Sequence, residues 1–220
     1  PETIVLDGGV INDAPSNYFY TWSTGENTAE IEVNTPGTYT VRVTNTNGCF
    51  KDRTITVLPS NSATVTAIEV VDATLNNTIT VFVSGEGDYE YALDDANGPY
   101  QDSNVFQNVL PGLYTIYVRD KNNCGIVNDL ISVIGFPKFF TPNGDDTNDF
   151  WQVRGITAQF QPNSDILIFD RYGKLLIELD PLSRGWDGTF NGANMPASDY
   201  WFKATLEDGR IFTSHFALKR

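Results

Sequence analysis

Between Thr141 and Asp149 the chain reads Thr-Pro-Asn-Gly-Asp-Asp-Thr-Asn-Asp, gathering three aspartates, two asparagines and two threonines into nine residues. Two chemistries use such a density of side-chain oxygens. A hard cation can sit among them, calcium more readily than magnesium, which keeps its water and tolerates irregular cages poorly. Alternatively the short side chains accept one another's backbone amides in a knot of Asx-turns. Asn143, Asp145, Thr147 and Asp149 are spaced two apart, like the early ligands of a calcium loop. The EF-hand pattern itself fails, because position 6 counted from Asn143 is Asn148 rather than glycine and position 12 is Arg154 rather than glutamate. Calcium is therefore a candidate cofactor through another geometry, with Asp145, Asp149 and backbone carbonyls as ligands. The metal-free Asx knot stands beside it.

Elsewhere the residues offer little for catalysis. His215 is the only histidine and lies in an alternating stretch, Ile211 to Leu218. No nucleophile elbow, zincin helix or CxxC pair occurs. Among 28 carboxylates a pair at glycosidase separation arises by chance. The expectation is a protein that is not an enzyme. Cys49 and Cys124 occupy equivalent places in two repeats, which disfavours a disulfide between them, and both are expected to be small buried residues near strand ends.

Length and composition set outer limits. With 220 residues, 40% hydrophobic and 13% aromatic, the chain suits two or three globular domains. A net charge of −14 argues against nucleic acid, which demands a basic face. The acid excess is least in residues 135–220, where 9 basic residues face 11 acidic ones. No apolar run is long enough to span a bilayer. Opening at Pro1 without a leader, the sequence is expected to be the end of something longer.

The elements that must position these residues are short strands. Pro36-Gly37-Thr38-Tyr39-Thr40-Val41-Arg42-Val43-Thr44-Asn45-Thr46-Asn47-Gly48-Cys49 recurs as Pro111-Gly112-Leu113-Tyr114-Thr115-Ile116-Tyr117-Val118-Arg119-Asp120-Lys121-Asn122-Asn123-Cys124, identical at seven of fourteen positions. Each copy is a Pro-Gly turn, an alternating strand, an Asn-rich turn and a cysteine; Ile55–Val57 and Ile131–Val133 then read as closing strands. Such a repeat without helical periodicity predicts an all-β chain of three tandem antiparallel Ig-like β-sandwich modules, over residues 1–58, 59–134 and 135–220. Tyr18, Tyr20 and Trp22 share one strand face and Trp22 is expected in a core; the rival use of such a ring, a platform for surface glycans, lacks supporting polar neighbours. Asp94, Asp95 and Asp102 read as a solvated loop. In the last module, Trp151–Arg154, Asp165–Arg171, Lys174–Leu179, Tyr200–Leu206 and Ile211–Leu218 are expected strands, with Ile166, Ile168, Leu176, Phe202 and Phe212 facing inward.

Four ordered pieces of that module, Phe140–Asp145, Ile168–Lys174, Gly185–Thr189 and Met195–Phe202, together resemble the gliding-motility-associated, type B C-terminal domain of the Bacteroidota type IX secretion system. The modules before it resemble Ig-like repeats of gliding adhesins, on Trp22-Ser23-Thr24-Gly25 and the Pro-Gly-x-Tyr-Thr pattern. The resemblance implies a folded export signal at the end of a cell-surface adhesin, read at the outer membrane by a SprA-type translocon with a PorP/SprF-family partner. A carbohydrate-binding accessory region of a secreted hydrolase is the alternative. The family loop usually reads Asn-Gly-Asp-Gly, and here Asp146 replaces the second glycine, so Asp146 must tolerate a positive φ. Partner contacts are expected either at the turn around Trp186, Asp187 and Gly188 or along the last strand with Lys219 and Arg220, which could equally be an ordinary terminal strand.

Overall fold

The computed structural model describes residues 3–220. Apart from one 3-10 turn at Pro15–Asn17, the regular structure among them is all strand. Pro1–Asn61 and Ser62–Arg220 form two compact units.

The first unit holds β1 (Ile4–Asp7), β2 (Tyr18–Trp22), β3 (Glu30–Val33), β4 (Gly37–Asn45) and β5 (Phe50–Val57). β1 pairs with β3, and β2, β4 and β5 make the facing antiparallel sheet in that order. Alternation along β2 decides what faces inward: Tyr20 and Trp22 are buried with Leu6, Ile31, Val33 and Val41, while Phe19 on the opposite face is exposed. The Trp22 indole donates to the Thr28 carbonyl at 2.8 Å, so its one polar atom is buried with a partner.

The second unit begins with β6 (Thr64–Val71), β7 (Asn77–Ser84), β8 (Tyr89–Leu93), β9 (Val105–Val109), β10 (Gly112–Asp120) and β11 (Ile126–Val133). Two three-stranded sheets, β6-β7-β9 and β11-β10-β8, close over a core of Ile79, Val81, Ile116, Val118, Ile131 and Val133. In the acidic loop after β8 the side chains are tied down: Asp94 accepts the Thr115 amide at 2.9 Å, and Asp102 pairs with Lys121 at 2.7 Å.

The repeat has a physical basis in two devices. Tyr39 donates its hydroxyl to the Thr35 carbonyl and Tyr114 to the Leu110 carbonyl, four residues upstream in each case, at 2.7 and 2.8 Å. This tyrosine corner fixes how the chain enters the strand. It occurs a third time, unannounced by the Pro-Gly signature, where Tyr200 donates to Pro196 at 2.8 Å. At the strand's far end an Asx side chain gathers the amides of the following turn. Asn45 accepts from Asn47 and Cys49, Asp120 from Asn122 and Cys124, and Asp170 in the last module from Tyr172 and Lys174. This corrects the reading of the cysteines. At Cys49 and Cys124 only the backbone N–H meets the Asx side chain, a role Lys174 fills beside Asp170, and both cysteines are exposed free residues rather than small buried ones.

The remainder comprises β12 (Phe139–Phe140), β13 (Asp165–Phe169), β14 (Leu175–Leu179), β15 (Thr189–Phe190), β16 (Ala193–Asn194), β17 (Ser198–Thr205) and β18 (Ile211–Leu218). One five-stranded sheet runs β12-β18-β17-β13-β14, antiparallel except that β12 joins β18 in parallel through Phe139–Ala217 and Phe140–Leu218. Ile166, Ile168, Leu176 and Phe202 fill its inner face as expected, and Phe212 packs partly buried against them. The covering layer is irregular: a β15–β16 hairpin and two isolated bridges, Trp151–Trp186 and Gly135–Arg154. Trp151–Arg154 is accordingly no strand. Its two ends hydrogen-bond to different partners, and at one of them Gly185 runs so close that a Cβ there would lie 2.5 Å from the Trp151 carbonyl oxygen.

Within the second unit this sheet is stapled to β6–β11. Asp72, at the end of β6, accepts the Ile134 amide at 2.9 Å and pairs with Arg210. Ala73 donates to the Ile134 carbonyl at 2.9 Å, and the Ser132 hydroxyl to the Gly155 carbonyl at 2.6 Å.

Candidate functional site

The Thr141–Asp149 loop leaves β12 at one end and enters the Trp151 bridge at the other, so both its stems are anchored in the aromatic core. Its neck is closed by Thr141, which donates its amide to the Asn148 carbonyl at 2.7 Å. Asp149 then gathers the tip: one carboxylate oxygen accepts the amides of Asn143 and Gly144 at 2.9 and 2.7 Å, the other that of Asp146 at 2.8 Å. Asp145 accepts the Thr147 amide and the Asn143 side-chain NH2, each at 2.8 Å, while the Asn143 side-chain oxygen accepts the Asp145 amide at 3.1 Å. Gly144, Asp146 and Asn148 all adopt positive φ, and Asp146, at 64°, holds the left-handed conformation that its replacement of glycine requires.

The oxygens at Asn143, Asp145 and Asp149 are thus directed at amide hydrogens. Among the described residues no group of three or more His, Cys, Asp or Glu side chains is arranged to hold a metal ion. The Gly144 amide is foremost in holding the Asp149 carboxyl below the usual carboxylate range, followed by those of Asp146 and Asn143, with Arg184 adding its charge and burial opposing.

The residues expected to meet a partner divide in two. Trp186 lies inside. Its ring is 2% exposed, meets Tyr200 edge-on at 4.9 Å and donates its Nε1 hydrogen to the Thr189 carbonyl at 2.7 Å, so it offers no face to another protein. Asp187, Gly188, Lys219 and Arg220 do come together at one end of the sheet. Asp187 caps the turn by accepting the Thr189 amide at 2.9 Å and its hydroxyl at 2.8 Å. Arg220 reaches back to the Gly188 carbonyl at 3.2 Å and the Asn194 side chain at 3.3 Å, and the Lys219 ammonium sits 4.4 Å from the centre of the Phe139 ring. Gly188, at φ 80°, is required by close packing, since a Cβ would meet Leu218 at 2.8 Å.

A feature the sequence reading passed over lies on the sheet's outer face. Phe169 pairs with both Trp201 and Leu175, and Trp201 with His215, so one row crosses four strands. Trp201 is 41% and Leu175 47% exposed, and His215 meets the Trp201 ring edge-on at 6.0 Å. The signal was present, because Trp201 alternates with the core residues Tyr200 and Phe202.

Residues 134–216 match the family profile described as the CHU_C Type IX secretion signal domain. Among curated proteins none matches. Solved structures with a related course of chain include Sidekick-1 immunoglobulin domains 1–4, at 12% identity over 99% of this chain and 71% of that one with a TM-score of 0.26. Others are the Bacteroides ovatus mixed-linkage glucan utilization locus protein SGBP-B in complex with a mixed-linkage heptasaccharide (14% identity, 99% and 64% covered, TM-score 0.25) and the human Desmocollin-1 ectodomain (13%, 94% and 55%, TM-score 0.29). This chain spans less than two thirds of the latter two. At such scores the likeness bears on neither ligand nor partner.

Proposed function

Because residues 134–216 are a type IX secretion signal domain, which marks a protein for export across the outer membrane to the cell surface or beyond, we propose that the chain is the C-terminal portion of a cell-surface adhesin. Residues 1–58 and 59–134 are Ig-like spacer modules, and residues 135–220 are the sorting domain, read by a SprA-type translocon with a PorP/SprF-family outer-membrane partner. The match at 134–216 carries this reading, and the separate aromatic core of that segment supports it, since a signal recognised in the folded state must hold its own shape. No reaction is assigned to the chain. Deleting Phe136–Arg220 should reduce surface display to background and leave the remaining protein in the periplasm, as read by surface labelling of whole cells. Undiminished display after the deletion would overturn the proposal.

Of the two readings of the Thr141–Asp149 loop, the amide network supports the metal-free Asx knot, and we take it as the scaffold of the domain's entry segment. Asp149 has a folded pKa below its ordinary value, so its contribution is fully present above that ordinary value and is lost as pH falls through the lower, folded one. Acid in that window should free the Gly144 and Asp146 amides to exchange. Chelator at neutral pH should leave both the amides and the melting temperature unchanged. A fall in melting temperature on chelation, restored by calcium, would return the cation to the loop.

A further inference from the structure

On one side the five-stranded sheet ends at the two-residue β12, which covers only the last two residues of β18. Ala217 and Lys219 donate their amides outward, to the carbonyls of Lys138 and Phe140. Backbone groups alternate in direction along a strand, and β18 pairs with β17 without a register shift, so Ile211, Thr213 and His215 point their N–H and C=O groups to the same outer side. Among the described residues no hydrogen bond reaches them there. The edge is also unprotected. Between Ile211 and Leu218 there is no lysine, glutamate, proline or bulge, the devices that normally blunt an edge. β14, the opposite edge, carries Glu178 and a register shift at Ile168/Phe169.

We propose that this open stretch of β18 is where an extended segment of the secretion machinery adds as a further strand, an inference that rests on the sorting-domain reading above. The row of unpaired donors and acceptors is complementary to another strand's backbone and to little else. The flanking side chains set the segment's character. On the outer face its residues would lie beside His215 and, one strand further, Trp201; on the inner face they would lie beside Phe212, whose ring packs on Phe136 at 5.1 Å. A segment with apolar residues on both faces and no charge fits.

A second copy of this chain fits less well. The window is bounded by β12 at one end and by Arg210, tied to Asp72, at the other. In a two-fold pairing centred on Thr213, each copy's Phe139–Phe140 strand would fall on the other's Asp208–Arg210 turn. A single extended segment has no such encumbrance.

The test is Thr213→Pro in the full chain, expressed in cells with a working type IX apparatus. The Thr213 amide serves no bond within the sheet, so proline removes the outward donor and leaves the β17–β18 ladder whole. Display should fall to background while the purified variant keeps the parent's slow exchange at Phe202 and Ser214. If Thr213→Pro fails to fold, the pair Ile211→Lys and His215→Lys, both at exposed positions, charges the edge and should give the same loss. In parallel, the Thr213 and His215 amides of the unaltered chain should become slow to exchange when detergent-solubilised type IX translocon is added. Normal display of both variants overturns the proposal, as does translocon that leaves those amides fast. So does slow exchange that depends only on the chain's own concentration, which would mean self-pairing. If the edge variants are displayed but the Phe136–Arg220 deletion is not, the edge is wrong and the sorting reading stands; if the deletion too is displayed, the sorting reading fails.

Discussion

Replacing Trp151 with alanine should destabilise the C-terminal sheet by about 4 kcal/mol, the range for deleting a buried aromatic. Trp151 is wholly buried, its ring stacks on Phe216 at 4.1 Å and 13°, and Phe202 lies 5.0 Å away. Its Nε1 donates to the Pro137 carbonyl at 2.8 Å, and its backbone exchanges two 2.9 Å bonds with Trp186. The cavity cannot close easily, because the covering layer is pinned by those bridges and by Gly185, with no continuous strand free to shift. Relative to a typical stability of roughly 5–15 kcal/mol, that loss leaves little margin. Trp201→Ala, on the outer face, removes a ring that is 41% exposed and should cost about 1 kcal/mol or less. Hydrogen exchange at β13 and β17 under mild denaturant measures both. A loss below about 1.5 kcal/mol at Trp151 would mean that the layer collapses onto the vacated space.

The contrast between these two tryptophans shows what the sequence makes legible. Period-two alternation placed Trp22, Ile166, Ile168 and Phe202 in cores, because a strand's faces are fixed by backbone geometry and burial alone selects between them. Trp151 was equally recognisable as apolar, but its segment does not make a strand, since its hydrogen bonds go to two unrelated partners. The oxygen-rich loop was legible as either of two structures. What separates them is where the Asp149 carboxylate points, and that depends on three successive positive-φ turns at Gly144, Asp146 and Asn148. Cys49 and Cys124 misled because a recurring residue suggests a packed side chain, whereas both side chains are exposed at the end of an Asx turn that uses only their backbone amides. Trp186 misled in the opposite sense: a turn-rich context suggested surface, yet the ring turns back into the core. The contact between Asp72 and Arg210 could not be read at all, being an ion pair across 138 residues of chain.

That pair leads to the second large effect. The Asp72 side chain is 4% exposed, and among the described residues its one other hydrogen bond is from the Ile134 amide. Arg210 is 42% exposed and is shared with Asp208 at 2.8 Å. Arg210→Ala should cost about 2 kcal/mol, less than a fully buried pair because water can reach the vacated site. Most of that cost is the penalty of leaving the Asp72 carboxylate buried beside a single donor, so removing the carboxylate as well should restore part of it. Asp72→Asn combined with Arg210→Ala should be more stable than Arg210→Ala alone, since a neutral amide still accepts from Ile134 without a charge to desolvate. If the double variant is instead the less stable, water reaching the vacated site already solvates the Asp72 carboxylate, and its charge-assisted bond to the Ile134 amide outweighs the penalty of burying it. The same comparison reports on geometry. Ile134 receives its amide partner from Asp72 and gives its carbonyl to Ala73, so freeing the carboxylate loosens both bonds at the joint between β11 and β12. Arg210→Ala should therefore expose the stretch from Ile134 to Pro137 to protease, and the double variant should recover part of the protection.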